Sequence, residues 1–120
     1  MRSVTSVAIV LVAALHGYFL VLEMFLWRTP YGRRTFGTTA EFAQSSAALA
    51  ANQGLYNGFL AAGLLWGLVW YGVASGRAIL SFFLICVVVA GLFGGFTVSR
   101  RILLVQALPA VIAIALLWLS

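Results

Sequence analysis

The residues of this chain that can do chemistry are few, and they lie where chemistry is expensive. His16 and Glu23 fall inside an apolar run from about Val4 to Trp27. Their seven-residue spacing puts both on one helix face, together with Phe19, Leu20 and Trp27. An ionisable side chain inside a membrane costs about 2.5–3.5 kcal/mol on insertion scales, so each needs a partner. The stripe is therefore expected to face protein rather than lipid. A second polar set, Asn52, Gln53, Tyr56 and Asn57, opens a later apolar run, and Gln106 stands early in the last one. An imidazole and a carboxylate are a candidate acid and base for proton transfer. Amides beside them can orient a substrate or stabilise developing charge. His16 and Glu23 are thus the catalytic candidates. His16, Glu23, Asn52, Gln53, Tyr56, Asn57 and Gln106 are the expected ligand-binding set.

Composition dictates what must position these groups. Of 120 residues, 64% are hydrophobic and 8% charged, and the mean hydropathy is +1.12. A soluble domain carries about 25% charged residues, so the lipid bilayer is the expected solvent and first partner. The length makes one domain, residues 1–120. The net charge of +5 comes from seven arginines against Glu23 and Glu41. The arginines flank apolar runs, where they set membrane orientation, and so do not argue for a nucleic-acid partner. Arg28, Arg33, Arg34, Arg100 and Arg101 also stand where anionic headgroups lie. Cys86 is single and sits in an apolar run, which makes it a packing residue without a disulfide. One cysteine and one histidine supply no metal-ligand cluster, and one histidine is a poor basis for haem; no metal or cofactor is expected.

The apolar runs divide into four spans, at about 4–27, 48–73, 78–96 and 102–119, near the roughly 20 residues a crossing helix needs. The first run is longer than a signal-peptide core and no small-residue cleavage site follows it, so it reads as a retained helix. Arg28–Gly37 reads as a loop punctuated by Pro30, Gly32 and Gly37. Thr38-Thr39-Ala40-Glu41 matches a capping box, which makes Glu41 a helix N-terminal charge. The following helix is expected to run far, its first turns in or above the headgroups. Pro109 is expected to kink the fourth span. Short connections force neighbouring helices antiparallel, so the predicted fold is all-α, an up-down bundle of four transmembrane helices. Five arginines in the first and third connections against two elsewhere place those connections in the cytoplasm and both termini outside.

Small residues at four-residue spacing let membrane helices approach closely. Gly54, Gly58 and Ala62, then Gly63 and Gly67, mark the second span; Ala90 with Gly94 and Gly91 with Gly95 mark the third. These faces are expected to join the second and third helices, with a homodimer interface as the rival reading. With this topology the polar groups of separate helices fall in the cytoplasmic half, and the outer half has almost none. Such a layer is either a closed hydrogen-bond network that fixes helix register or a water-accessible pocket.

The run Asn52-Gln53-Gly54-Leu55-Tyr56-Asn57-Gly58-Phe59-Leu60-Ala61 resembles the signature of a bacterial membrane family, domain of unknown function 1304. His16 with Tyr18 and Glu23, Arg34 with Phe36-Gly37, and Gln106 with Pro109 are similar to it as well. The resemblance covers nearly the whole chain. It implies a small multi-span protein of the inner (cytoplasmic) membrane and carries no catalytic assignment.

Three readings of the polar layer follow. In the first, it binds the polar end of a small hydrophobic or amphipathic, lipid-like molecule, with acid–base chemistry at His16 and Glu23. In the second, the chain is a small dimeric proton-coupled transporter in which Glu23 exchanges proton for substrate. It shares length, four spans and a first-span glutamate with small multidrug antiporters but lacks their other motifs. In the third, the chain is a structural or accessory subunit and the layer only fixes register.

Overall fold

The computed structural model describes residues 1–120 and is helical with no strands. The order is α1 (Arg2–Met24), α2 (Pro30–Phe36), α3 (Ala40–Leu65), a π-helical segment Trp66–Tyr71, α4 (Gly72–Ser75), α5 (Arg77–Thr97), a second π-helical segment Leu103–Ala107, and α6 (Leu108–Leu119). Three stretches are long and apolar enough to cross a membrane: Arg2–Met24, the 36 residues of Ala40–Ser75, and Arg77–Thr97. The last helical stretch, Leu103–Leu119, has 17 residues. At 1.5 Å per residue it is about 26 Å long, against a hydrocarbon core of about 30 Å. Four spans were expected; three helices and one shorter apolar helix are found.

The region read as a loop contains a helix. Thr29 caps it: its hydroxyl donates to the Leu26 carbonyl at 2.6 Å and accepts from the Gly32 amide at 3.2 Å. Pro30 follows at the first turn, where its missing N–H costs nothing. Gly37 closes the helix in the left-handed conformation, φ 67°, and its amide donates to the Arg33 carbonyl. The Thr-Pro start and the Gly stop were visible in the sequence; the shortness of the segment hid them. The cap of α3 also differs from expectation by one residue. Thr39, not Thr38, accepts the Phe42 amide at 3.1 Å. Glu41 is then one position too early for the reciprocal bond of a capping box, and it is exposed.

The chain forms two compact units, Met1–Ala14 with Leu60–Ser120, and Leu15–Phe59. The first unit has the apolar core. Ile9, Val12, Leu64, Leu80, Leu84, Val87 and Leu117 are buried there, with Ala13, Ala110 and Ala113 filling the narrow places. Helix α5 meets the last helical stretch at small residues. A Cβ at Gly91 would lie 2.6 Å from the Ala107 amide nitrogen, and one at Gly95 would strike the Leu103 side chain. The Gly91 and Gly95 face therefore packs on the last stretch, not on the second span as the spacing suggested. Gly63 and Gly67 do meet α5, under Phe83 and Leu80.

Pro109 lies just past the π-helical turn Leu103–Ala107. A proline inside a regular helix clashes with the carbonyl four residues back, and the wider turn gives that carbonyl room. At the other end of this unit a polar knot appears that the sequence reading missed. Thr5 and Ser81 are buried. The Thr5 hydroxyl pairs with that of Ser120 at 2.5 Å, and the Trp118 indole donates to Ser81 at 3.0 Å. The Arg77 guanidinium donates to the Ser120 carbonyl at 2.7 Å and lies 5.2 Å from the Trp118 ring. Helix ends leave carbonyls unpaired, and an arginine can close one.

Candidate functional site

The candidate site lies within the unit Leu15–Phe59, and glycine makes it. A Cβ at Gly54 would fall 2.7 Å from Met24 Cγ and 3.0 Å from Glu23 Cβ, and one at Gly58 would fall 2.5 Å from Leu20 Cδ1. Bare glycines thus bring α3 against α1, a correction to the expectation that this face meets the third span. Asn57, between the two glycines on the same side of α3, then reaches across. Its Nδ2 donates to Glu23 Oε1 at 2.5 Å. When Glu23 is ionised this bond is charge-assisted and roughly twice as strong as a neutral one.

The α1 stripe runs inward as its spacing required. His16 is fully buried, with the Phe19 ring edge-on at 5.3 Å between centroids. Glu23 and Trp27 are half-buried. The Trp27 indole donates to Ser46 Oγ at 3.1 Å, and Arg28 Nη1 donates to Gln44 Oε1 at 3.2 Å. These bonds tie the turn after α1 to the early turns of α3. Tyr18 and Tyr31 pair through their hydroxyls on the outside.

Between these ties lies an open cleft of about 500 Å³. Glu23, Met24, Phe25, Trp27, Arg28 and Thr29 form one wall; Ala47, Ala48 and Ala51 form the other. The alanines explain the opening, since a wall of methyl groups cannot fill the gap. The cleft combines a half-buried carboxylate, an indole and an exposed guanidinium. That set can accept a proton or an ammonium group at Glu23, stack a flat or apolar moiety on Trp27, and attract an anion at Arg28.

The residues singled out from the sequence are divided between the two units, and within Leu15–Phe59 only one pair is joined at the cleft. Glu23 and Asn57 touch, and Glu23 alone of the set lines the cleft. His16 lies two helical turns before Glu23, buried and outside the cleft lining. Asn52, Gln53 and Tyr56 are exposed. Gln106 belongs to the other unit, half-buried on the π-helical turn. Trp27, Arg28, Gln44 and Ser46 were not anticipated as a group. Ala47, Ala48, Ala50 and Ala51 were the available signal, because so many small side chains in one stretch leave space beside them.

A family model described as Protein of unknown function (DUF1304) matches residues 10–118. An uncharacterized protein, YpaA of Lactococcus lactis subsp. lactis (strain IL1403), is 29% identical over 116 residues, covering 95% of this chain and 96% of its own. No solved structure matches the chain.

Proposed function

The chain belongs to the DUF1304 family, and on that premise we propose that it is an integral protein of the bacterial inner membrane that binds the polar end of a small hydrophobic or amphipathic molecule. In this reading Leu103–Leu119 is a fourth, short crossing, the helices alternate up and down, and the cleft opens in the cytoplasmic half. The observation that carries the proposal is the Glu23 carboxylate, held by Asn57 at the edge of an open, alanine-walled cleft. A carboxylate fixed by one donor and bordering open space is suited to meet a ligand and to exchange a proton with it. Asn57 is its positioning residue. The outward amides and His16 then serve structure rather than ligand contact.

The test is native mass spectrometry of the full chain extracted from its own membrane in a mild detergent. Wild-type protein is expected to retain a low-mass amphiphile that Glu23→Gln releases. Equal retention by Glu23→Gln and by a cleft-filling Ala48→Leu variant would sink the proposal.

Dimeric proton-coupled transport is the second reading, favoured by one fact: Glu23 is the only carboxylate away from an exposed helix end. It requires proton release on ligand binding that vanishes in Glu23→Gln. Release of no protons would leave simple binding.

A further inference from the structure

A second open cleft, of about 380 Å³, lies in the connection between α1 and α3, lined by Pro30, Arg33, Arg34, Gly37 and Thr38. Two polar atoms there, Arg33 Nε and Thr38 Oγ1, are buried without a hydrogen-bond partner. Such atoms are rare in native structures, and each asks for a cause. A buried polar group that makes no bond is destabilising, and more so when it is charged. The backbone brings these two together. The amides of Gly37 and Thr38 both donate to the Arg33 carbonyl, the latter at 3.0 Å. This left-handed turn folds the chain back so that the Thr38 side chain joins the Arg33 and Arg34 side chains around the cleft. No acidic residue lines it.

We propose that this cleft binds a phosphate ester. Arg33 presents its Nε–H and one Nη–H as a fork to two phosphate oxygens, a geometry that lysine cannot copy. The Thr38 hydroxyl donates to the same group, and Arg34 adds charge. Both atoms are shielded from solvent, so binding turns the Arg33 edge and the Thr38 hydroxyl toward the cleft and satisfies them. The ligand's common feature is a phosphate oxyanion with no cation beside it. A lipid headgroup supplies it from the bilayer, and a soluble phosphate supplies it from water. The proposal does not rest on the Glu23 cleft, with which it shares no lining residue.

The experiment uses the full chain in uncharged maltoside micelles, with thermal unfolding followed as phosphatidylglycerol, phosphatidylcholine or inorganic phosphate is added. Binding to the folded state raises the Tm. Phosphatidylglycerol is expected to raise it and phosphatidylcholine at the same mole fraction to leave it unchanged. Arg33→Lys keeps the charge and is expected to raise the half-saturating concentration at least tenfold; Thr38→Val raises it several-fold. Arg100→Lys, in another connection, leaves it unaltered. Inorganic phosphate acting alone, with the same dependence on Arg33, would assign the site to a soluble phosphate. A response indifferent to Arg33→Lys, or weakened equally by Arg100→Lys, would overturn the proposal in favour of diffuse charge attraction. The Arg Nε–H resonances give a reading independent of stability. One of them should shift on adding phosphatidylglycerol and be missing in Arg33→Lys, and no shift with any phosphate would also overturn the proposal.

Discussion

At the scale of single residues, the pair Glu23–Asn57 decides most. Replacing Asn57 by Leu removes the donor and leaves a half-buried carboxylate without it, which should destabilise the chain by about 1–3 kcal/mol. In a Glu23→Gln background the same replacement should cost measurably less, because the charge is gone. Reversible unfolding in mixed micelles across this double-mutant cycle checks the coupling, and strict additivity would mean that the bond contributes nothing. The sequence made half of this pair legible. Seven-residue spacing placed Glu23 on an inward stripe with His16, and both are withdrawn from the surface. The polar run Asn52–Asn57 was harder, since it winds through one and a half helical turns and so cannot share one side. Glycine settles which member turns inward. Gly54 and Gly58 admit α1, and Asn57 is the amide on their side.

At the scale of elements, the close approaches are made by glycines, and the strictest are those that meet backbone. A Cβ on Gly32 would collide with the Leu26 backbone carbonyl. Backbone cannot yield as a flexible side chain does, so Gly32→Ala should cost about 1–3 kcal/mol and loosen α2. Increased proteolysis between Arg28 and Gly37 in the variant would report this, and an unchanged digestion rate would count against it. Gly91→Val should similarly force α5 off the last helical stretch and lower the Tm, whereas Ala90→Val, on the exposed side of α5, should not. The long helices were legible, because apolar runs of membrane length leave few alternatives; the short α2 was not. Their partners were not. Small-xxx-small spacing states that a face is smooth but not which helix lies upon it. The two π-helical segments were equally hidden, since hydrogen-bond register has no compositional signature.

At the scale of the whole molecule, the arginine distribution makes a testable prediction of orientation. In a Cys86→Ala background, a cysteine at Ser3 should react with a membrane-impermeant maleimide in intact cells. One at Thr35 should react only after the cells are opened. The reverse pattern would invert the proposed topology and put the Glu23 cleft on the outer face. The polar knot of Thr5, Ser81, Trp118 and Ser120 shows why whole-chain inference from composition had reached its limit. Hydroxyls and an indole hardly register on a hydropathy scale, yet they bring together residues more than a hundred positions apart. His16 has a different consequence. It is the only imidazole in the chain, and none of it is exposed. An acylating reagent that attacks imidazole from water must wait for the surrounding helices to part. The rate at which that one ring is carbethoxylated is therefore a clock for their opening, built into the native sequence and readable without a label.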